Sequence, residues 1–251
     1  MSNVYANELD AASGQTILIP SGYNLSLGGT ILNENSIPPD PEGNEGKFLV
    51  SDGSAAAFRN IGPVSVQNFF SSGTWNRPDG INVIIVRVMG GGGGGSGHSE
   101  SGAAGGYAEE VIDVRGISSV YCTVGSGSGN GTYYSGNGGG GGTSSFGNYV
   151  SASGGLGANQ TYQHCGGLGG LGSGGNLNIY GGGGTGHMNY MGFGGGGYFG
   201  SGTLSCHGNW NQGTRSNQLK APRGAGGTSG YQGSYQGANG MGGAVIVMEF
   251  V

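Results

Sequence analysis

The sequence predicts a mainly β protein: a small β-rich segment, then a β-framed glycine-rich domain of packed glycine helices and display loops. Three observations carry this. Of 251 residues, 65 are glycine, roughly a quarter against an ordinary share of about 7%. Ten of them lie in residues 1–89 and 55 in residues 90–243. Short alternating or apolar runs of strand length precede the glycine-rich stretch, and one closes the chain after it.

The front, residues 1–63, reads as short β elements. Gln15–Pro20 is a strand ended by proline, and Tyr23–Gly29 alternates polar with apolar residues into a Gly-Gly turn. Ile37–Asn44, with three prolines and two acids, is a linker. Lys47–Val50 is a strand, and Ser51–Ser54 the turn after it. Three or four short strands make a poor independent core. Assembly with other copies or another protein is the simplest remedy, so residues 1–63 are expected to attach or oligomerise the chain.

Residues 64–251 form the second domain. Val64–Phe70 alternates into a strand, and Gly73–Gly80 is expected as a turn-rich connection in which Trp75 goes to the core. Val83–Met89 is a near-continuous apolar run, as in a strand buried on both faces. Tyr107–Val114 and Val120–Val124 are further strands. The ending Gly243–Val251 is as apolar as Val83–Met89, and the two are expected to pair, closing the glycine-rich excursion at its base.

Ordering that excursion is costly, about 0.5–1 kcal/mol per glycine beyond alanine. The aromatics spread through it argue for order over a flexible linker, because linkers of that kind lack them. In Gly166–Gly175 glycine recurs with period three, the residue count per turn of the polyproline-II helix. Seven prolines and a broken phase exclude collagen. The reading is therefore short left-handed glycine helices packed side by side. Non-glycine inserts at 130–135, 143–153, 158–165, 176–180, 185–191, 203–221 and 228–238 form the loops and strand segments.

Charge excludes several functions. The chain has 8 Lys and Arg, 13 Asp and Glu, and a net charge of −5. That is too few cations for a nucleic-acid binder. No run approaches the roughly 20 apolar residues of a bilayer span, and the first ten residues hold no secretory signal pattern. Catalysis has little support. Glycoside hydrolysis needs two flanking carboxylates, and residues 114–248 contain none. Alternation puts Glu109 and Glu110 on opposite faces, Gly90–Gly95 lacks the Gly-Lys-Ser/Thr of a phosphate loop, and Ser96, His98, Ser99 and Glu100 read as a flexible glycine-flanked loop. No enzyme activity and no cofactor are expected. His164-Cys165 and Cys206-His207 fit no closed zinc spacing, so no metal is expected either. Cys165 and Cys206 can pair to pin two loops.

Several motifs together carry a resemblance. They are Asn68–Pro78, Val83–Val88 running into Gly90–Gly95, Gly105–Glu109, Ser144–Gly147, Val150–Gly155 and Gly242–Val247. This set resembles the glycine-rich domain of bacteriophage tail-fibre tips, and Gly46–Ala55 is similar to the connector ahead of such domains. The resemblance implies a virion adhesin made in the host cytoplasm. It implies packed polyglycine-II helices whose loops recognise a host surface polysaccharide or outer-membrane protein. It also implies contact of residues 1–63 with other tail proteins and a homotrimer, without nucleic acid or membrane insertion.

The binding candidates are the loop aromatics and the isolated charges of the body. Tyr133, Tyr134, Tyr162, Tyr190, Tyr198, Phe199, Trp210, Tyr231 and Tyr235 offer flat faces with polar edges. His164 and His187 lie among them. Arg215, Lys220 and Arg223 are the only charges between Gly116 and Met248, suited to phosphates or an acidic receptor loop. The same aromatics can instead fill the space between glycine layers, and the cations can form a solvated hinge. Two other functions compete. A structural fibre or decoration subunit would not need the loops, and an ice-binding protein would need a flat face of small residues.

Overall fold

The computed structural model describes residues 25–27, 30–32, 47–51, 56–59, 62–97, 100–131, 136–159, 166–186, 192–202, 221–230 and 237–251. The expected strand Gln15–Pro20 and the linker Ile37–Asn44 lie outside them. Among the described residues the fold is mainly β, without a helix. The chain divides into two compact units, Met1–Gly62 and Pro63–Val251. The first contains two antiparallel hairpins, β1 (Leu25–Leu27) with β2 (Thr30–Leu32) and β3 (Phe48–Ser51) with β4 (Ala56–Arg59). Strand β4 is an element the sequence reading did not expect.

The second unit is framed by two five-stranded antiparallel sheets. One has the order β13-β8-β7-β14-β5, from β5 (Ser65–Phe69), β7 (Val83–Met89), β8 (Tyr107–Asp113), β13 (Leu177–Ile179) and β14 (Ala244–Phe250). The other has the order β12-β11-β10-β9-β6, from β6 (Gly73–Asn76), β9 (Ser119–Thr123), β10 (Ser144–Phe146), β11 (Val150–Ala152) and β12 (Gly172–Ser173). The expected pairing of Val83–Met89 with the closing strand is present, in the register Ala244↔Met89 to Phe250↔Val83.

The sheets pack face to face because alternation turns one side of each strand inward. Ile84, Val86, Val88, Ala108, Ile112, Val245 and Val247 meet Trp75, Val120, Cys122, Phe146, Val150 and Ala152 in one buried cluster. The Trp75 and Phe146 rings lie 5.6 Å apart. Two expectations change here. Gly73–Asn76 is not part of a turn but strand β6, paired with β9, because its register with β9 puts Trp75 into the core. Val83–Met89 is not buried on both faces: Val83, Ile85 and Arg87 are only half-buried, as one solvated face of an antiparallel sheet allows.

Cys122 is fully buried in this core, and burial pushes its thiol up to about 11, partly offset by a backbone hydrogen bond from Trp75. In a Cys165→Ser/Cys206→Ser background, the folded protein is expected to resist Ellman's reagent near about pH 8 and to react on unfolding. Rapid reaction of the folded protein would mean that the sheets part in solution.

From one end of the frame rises a bundle of ten extended segments: 90–97, 100–106, 125–131, 136–142, 153–158, 166–171, 181–186, 192–197, 222–230 and 237–243. Their backbone hydrogen bonds repeat every third residue. In segment 90–97, Gly90, Gly93 and Ser96 donate to Gly106, Ala103 and Glu100; Gly91, Gly94 and Gly97 donate to Gly142, Gly139 and Gly136; Gly92 and Gly95 donate to Met241 and Ala238. The same segment accepts from Ser128 and Gly131, from Gly155 and Ala158, and from Gly227 and Gly230. It therefore has six hydrogen-bonded neighbours. Segment 100–106 likewise has six: 90–97, 153–158, 166–171, 181–186, 192–197 and 222–230.

The other eight segments form a closed ring around this pair. Each bonds to the next in chain order, and 237–243 bonds back to 125–131 through Gly240 to Ser128 and Gly243 to Gly125. Two centres sharing two neighbours within a ring of eight is the connectivity of a hexagonal lattice. Neighbouring axes approach so closely that a Cβ on Gly92 would strike Ala225 O, and one on Gly95 would strike Thr228 O. Neither glycine has a positive φ. Space, not backbone conformation, demands glycine at the centre.

Candidate functional site

The hydrogen-bond register gives the bundle two distinct ends. At the base, β7 runs into Gly90, Gly106 into β8, Gly142 through Thr143 into β10, Ala152 into Ser153 and Gly243 into β14. At the far end lie Gly97 and Glu100, the latter bonded to Ser96. Gly136, Gly131, Ala158 and Gly230 bond to the upper residues of segment 90–97. Gly167, Thr185 and, through Thr185, Phe193 reach the same level beside Ser101. A Cβ on Gly237 would meet Gly95 O and Ser96 O.

Five inserts are flanked by these far-end residues: 98–99, 132–135, 160–165, 187–191 and 231–236. The candidates Tyr133, Tyr134, Tyr162, His164, His187, Tyr190, Tyr231 and Tyr235 belong to them and lie outside the described residues. So do Trp210, Arg215 and Lys220, in 203–220. The described residues on both sides of all five inserts share one end.

Small polar side chains lock the far end from beneath. Ser96, Glu100, Ser101, Thr228 and Ser229 are buried there among glycine and alanine. Ser96 Oγ donates to Glu100 Oε2 at 2.9 Å. Ser101 Oγ accepts from Ser229 N–H at 3.0 Å, and Ser229 Oγ accepts from Gly192 N–H at 2.7 Å. These bonds tie segment 100–106 to segments 90–97 and 222–230, and 222–230 in turn to 192–197. This corrects the expectation of a flexible loop at Ser96 and Glu100, which are buried and mutually bonded, while His98 and Ser99 lie outside the described residues. Glycine runs on both sides masked the signal, because they read as flexible until their neighbours are known. Among the described residues no three His, Cys, Asp or Glu side chains converge as metal ligands would.

Tyr198, Phe199 and Arg223 are held at the base instead. The Tyr198 ring stacks on buried Tyr107 at 3.7 Å between centroids, and Phe199 meets Tyr107 edge-on at 6.2 Å. Both remain partly exposed. Tyr107 Oη and Arg87 Nε both donate to Glu109 Oε2, at 2.9 and 2.6 Å. Burial alone would raise the Glu109 carboxyl, but the bonds from Arg87 and Tyr107 hold it below the ordinary carboxylate value. Burial, then Glu109, push the Tyr107 hydroxyl well up. Arg223 lies over the Phe70 ring at 4.2 Å and donates to Gly243 O at 3.1 Å. Its guanidinium therefore braces the junction of frame and bundle.

No protein-family model matches this chain, and no curated protein matches it.

Proposed function

We propose that this protein is a phage tail-fibre or tail-tip adhesin that recognises a host surface polysaccharide or outer-membrane protein. In this reading the bundle is a set of polyglycine-II helices, residues 1–63 join the chain to other tail proteins, and several copies assemble, as a homotrimer. The observation that carries it is the common end of the five inserts. They hold six tyrosines and three histidines, with no Asp, Glu, Lys or Arg. Tyrosine offers a large, stiff face and a polar edge at low entropic cost. A lattice cross-linked in six directions keeps the bases of the loops fixed, so less ordering remains to be done on binding. Repeated copies on a virion add avidity.

Such a surface suits an uncharged glycan or a polar protein loop better than lipopolysaccharide phosphates, which call for cations. The test is saturable binding of the labelled chain to a panel of bacterial strains that includes the host. Replacing 132–135 and 231–236 by Gly-Ser spacers is expected to abolish binding at unchanged circular dichroism. Full infectivity of virions carrying that variant would instead favour a structural subunit.

A further inference from the structure

Tyr198 and Phe199 sit at the tip of a tight turn. The Gly197↔Gly200 bridge closes it, with Gly200 N–H donating to Gly197 O at 3.1 Å. The two rings meet at 76° with 5.5 Å between centroids, so they form a corner. Stacking on Tyr107 takes one face of the Tyr198 ring, and 46% of the residue stays exposed, which leaves the other face to solvent. Phe199 is 40% exposed. Packing on Tyr107 accounts for the covered sides of these rings and not for the open ones.

Beside the corner stands a half-exposed ion pair. Arg87 Nε and Tyr107 Oη both donate to Glu109 Oε2. Glu109 Oε1 and both Nη groups of Arg87 have no partner among the described residues. Thr228 Oγ1 is the one buried side-chain oxygen or nitrogen there without a partner, so these three atoms reach water. The bond to Glu109 raises the Arg87 guanidinium above its ordinary value, against burial, and the Tyr107 and Tyr198 hydroxyls add to this. Tyr198 Oη therefore lies within electrostatic reach of the pair.

We propose that this corner binds a neutral hexopyranose. One face of such a sugar is a patch of C–H groups, which rests on the negative face of an aromatic ring. Its adjacent hydroxyls both donate and accept. One can donate to Glu109 Oε1 while its neighbour accepts from an Arg87 Nη. A purely apolar ligand would leave the pair unused, and a charged one meets a pair whose charges already cancel. The turn is fixed by its own hydrogen bond, so little ordering remains to be done on binding. The site is separate from the five inserts and does not depend on their reading.

The test is amide NMR of the nitrogen-labelled full chain, titrated with methyl glucoside, methyl galactoside and methyl mannoside. At least one is expected to shift the Gly197–Gly200 amides and the Arg87 Nε–H saturably, with a dissociation constant on the order of 1–10 mM. Tyr198→Ala, at unchanged circular dichroism, is expected to weaken binding at least about tenfold. Tyr198→Phe keeps the ring and is expected to stay within about threefold of the wild type. Glu109→Gln puts an amide N–H in place of the free acceptor and is expected to weaken binding several-fold. Three results would each overturn the proposal: no saturable shift with any glycoside, shifts confined to other residues, or undiminished binding by folded Tyr198→Ala. Cell binding is read separately, so failure here leaves the receptor reading intact.

Discussion

A single methyl group at Gly92 is expected to destabilise the glycine-rich unit by about 3 kcal/mol or more, measured by urea denaturation. The added Cβ would strike Ala225 O and its carbonyl carbon. Segment 90–97 is bonded on all six sides, so no direction is free for it to relax. Moving it away from 222–230 drives it into 125–131, 136–142 or 153–158 and loosens hydrogen bonds each worth about 1 kcal/mol. Gly129 is the control. A Cβ there meets nothing within 4 Å, and its φ is not positive. Gly129→Ala is therefore expected to be neutral or to stabilise by up to about 1 kcal/mol, through the unfolded chain. Equal effects at the two positions would show that crowding is not what selects glycine.

The second large effect is expected at Glu249, the only acid after Asp113. Alternation along β14 turns it inward with Val245 and Val247, and it is fully buried. Its carboxylate accepts from Trp75 Nε1 and Gln67 Nε2, each at 2.7 Å, and from Ser65 Oγ. Trp75 belongs to the opposite sheet, so this one side chain joins the two layers. Its two oxygens offer several lone pairs, which suits three converging donors. Glu249→Ala strands the buried Trp75 N–H and frees the half-buried Gln67 and the exposed Ser65, and is expected to cost about 2–4 kcal/mol in total. Glu249→Gln turns an amide N–H toward at least one donor and is expected to cost about 1–3 kcal/mol. Denaturation followed by tryptophan emission reads both variants. A cost below about 1 kcal/mol for Glu249→Ala would remove the carboxylate from the account of how the sheets are held.

Much of the frame is legible in the chain because strand pattern is a local property. Val83–Met89, Tyr107–Asp113, Ser119–Thr123 and the closing strand announce themselves by apolar residues at strand spacing. Gly73–Asn76 does not: four residues beside a proline read as a turn, and only the pairing of Trp75 with Val120 makes them a strand. Glu249 was equally hidden. One acid in an apolar run looks like a solvent-facing interruption until Ser65, Gln67 and Trp75 stand around it.

The candidate surface divides in the same way. The sequence supplied the inserts and their tyrosines, but no local feature states which inserts share an end. Tyr198, Phe199 and Arg223 look like their fellow candidates in the chain, yet Tyr107, Phe70 and Gly243 hold them at the base.

By itself, then, the sequence determined the β character, the contrast in glycine content between residues 1–89 and 90–243, the pairing of the last strand with Val83–Met89 and the three-residue recurrence of glycine in Gly166–Gly175. Each rests on side-chain alternation or composition within a few residues of chain. The tertiary structure alone decided that the segments close into a ring of eight around two, and that five inserts begin and end at one face of it. Glycine has no side chain to name its neighbour. The partner of each glycine N–H is chosen by backbone hydrogen bonds between segments far apart in the chain, and that choice exists only once all ten are assembled.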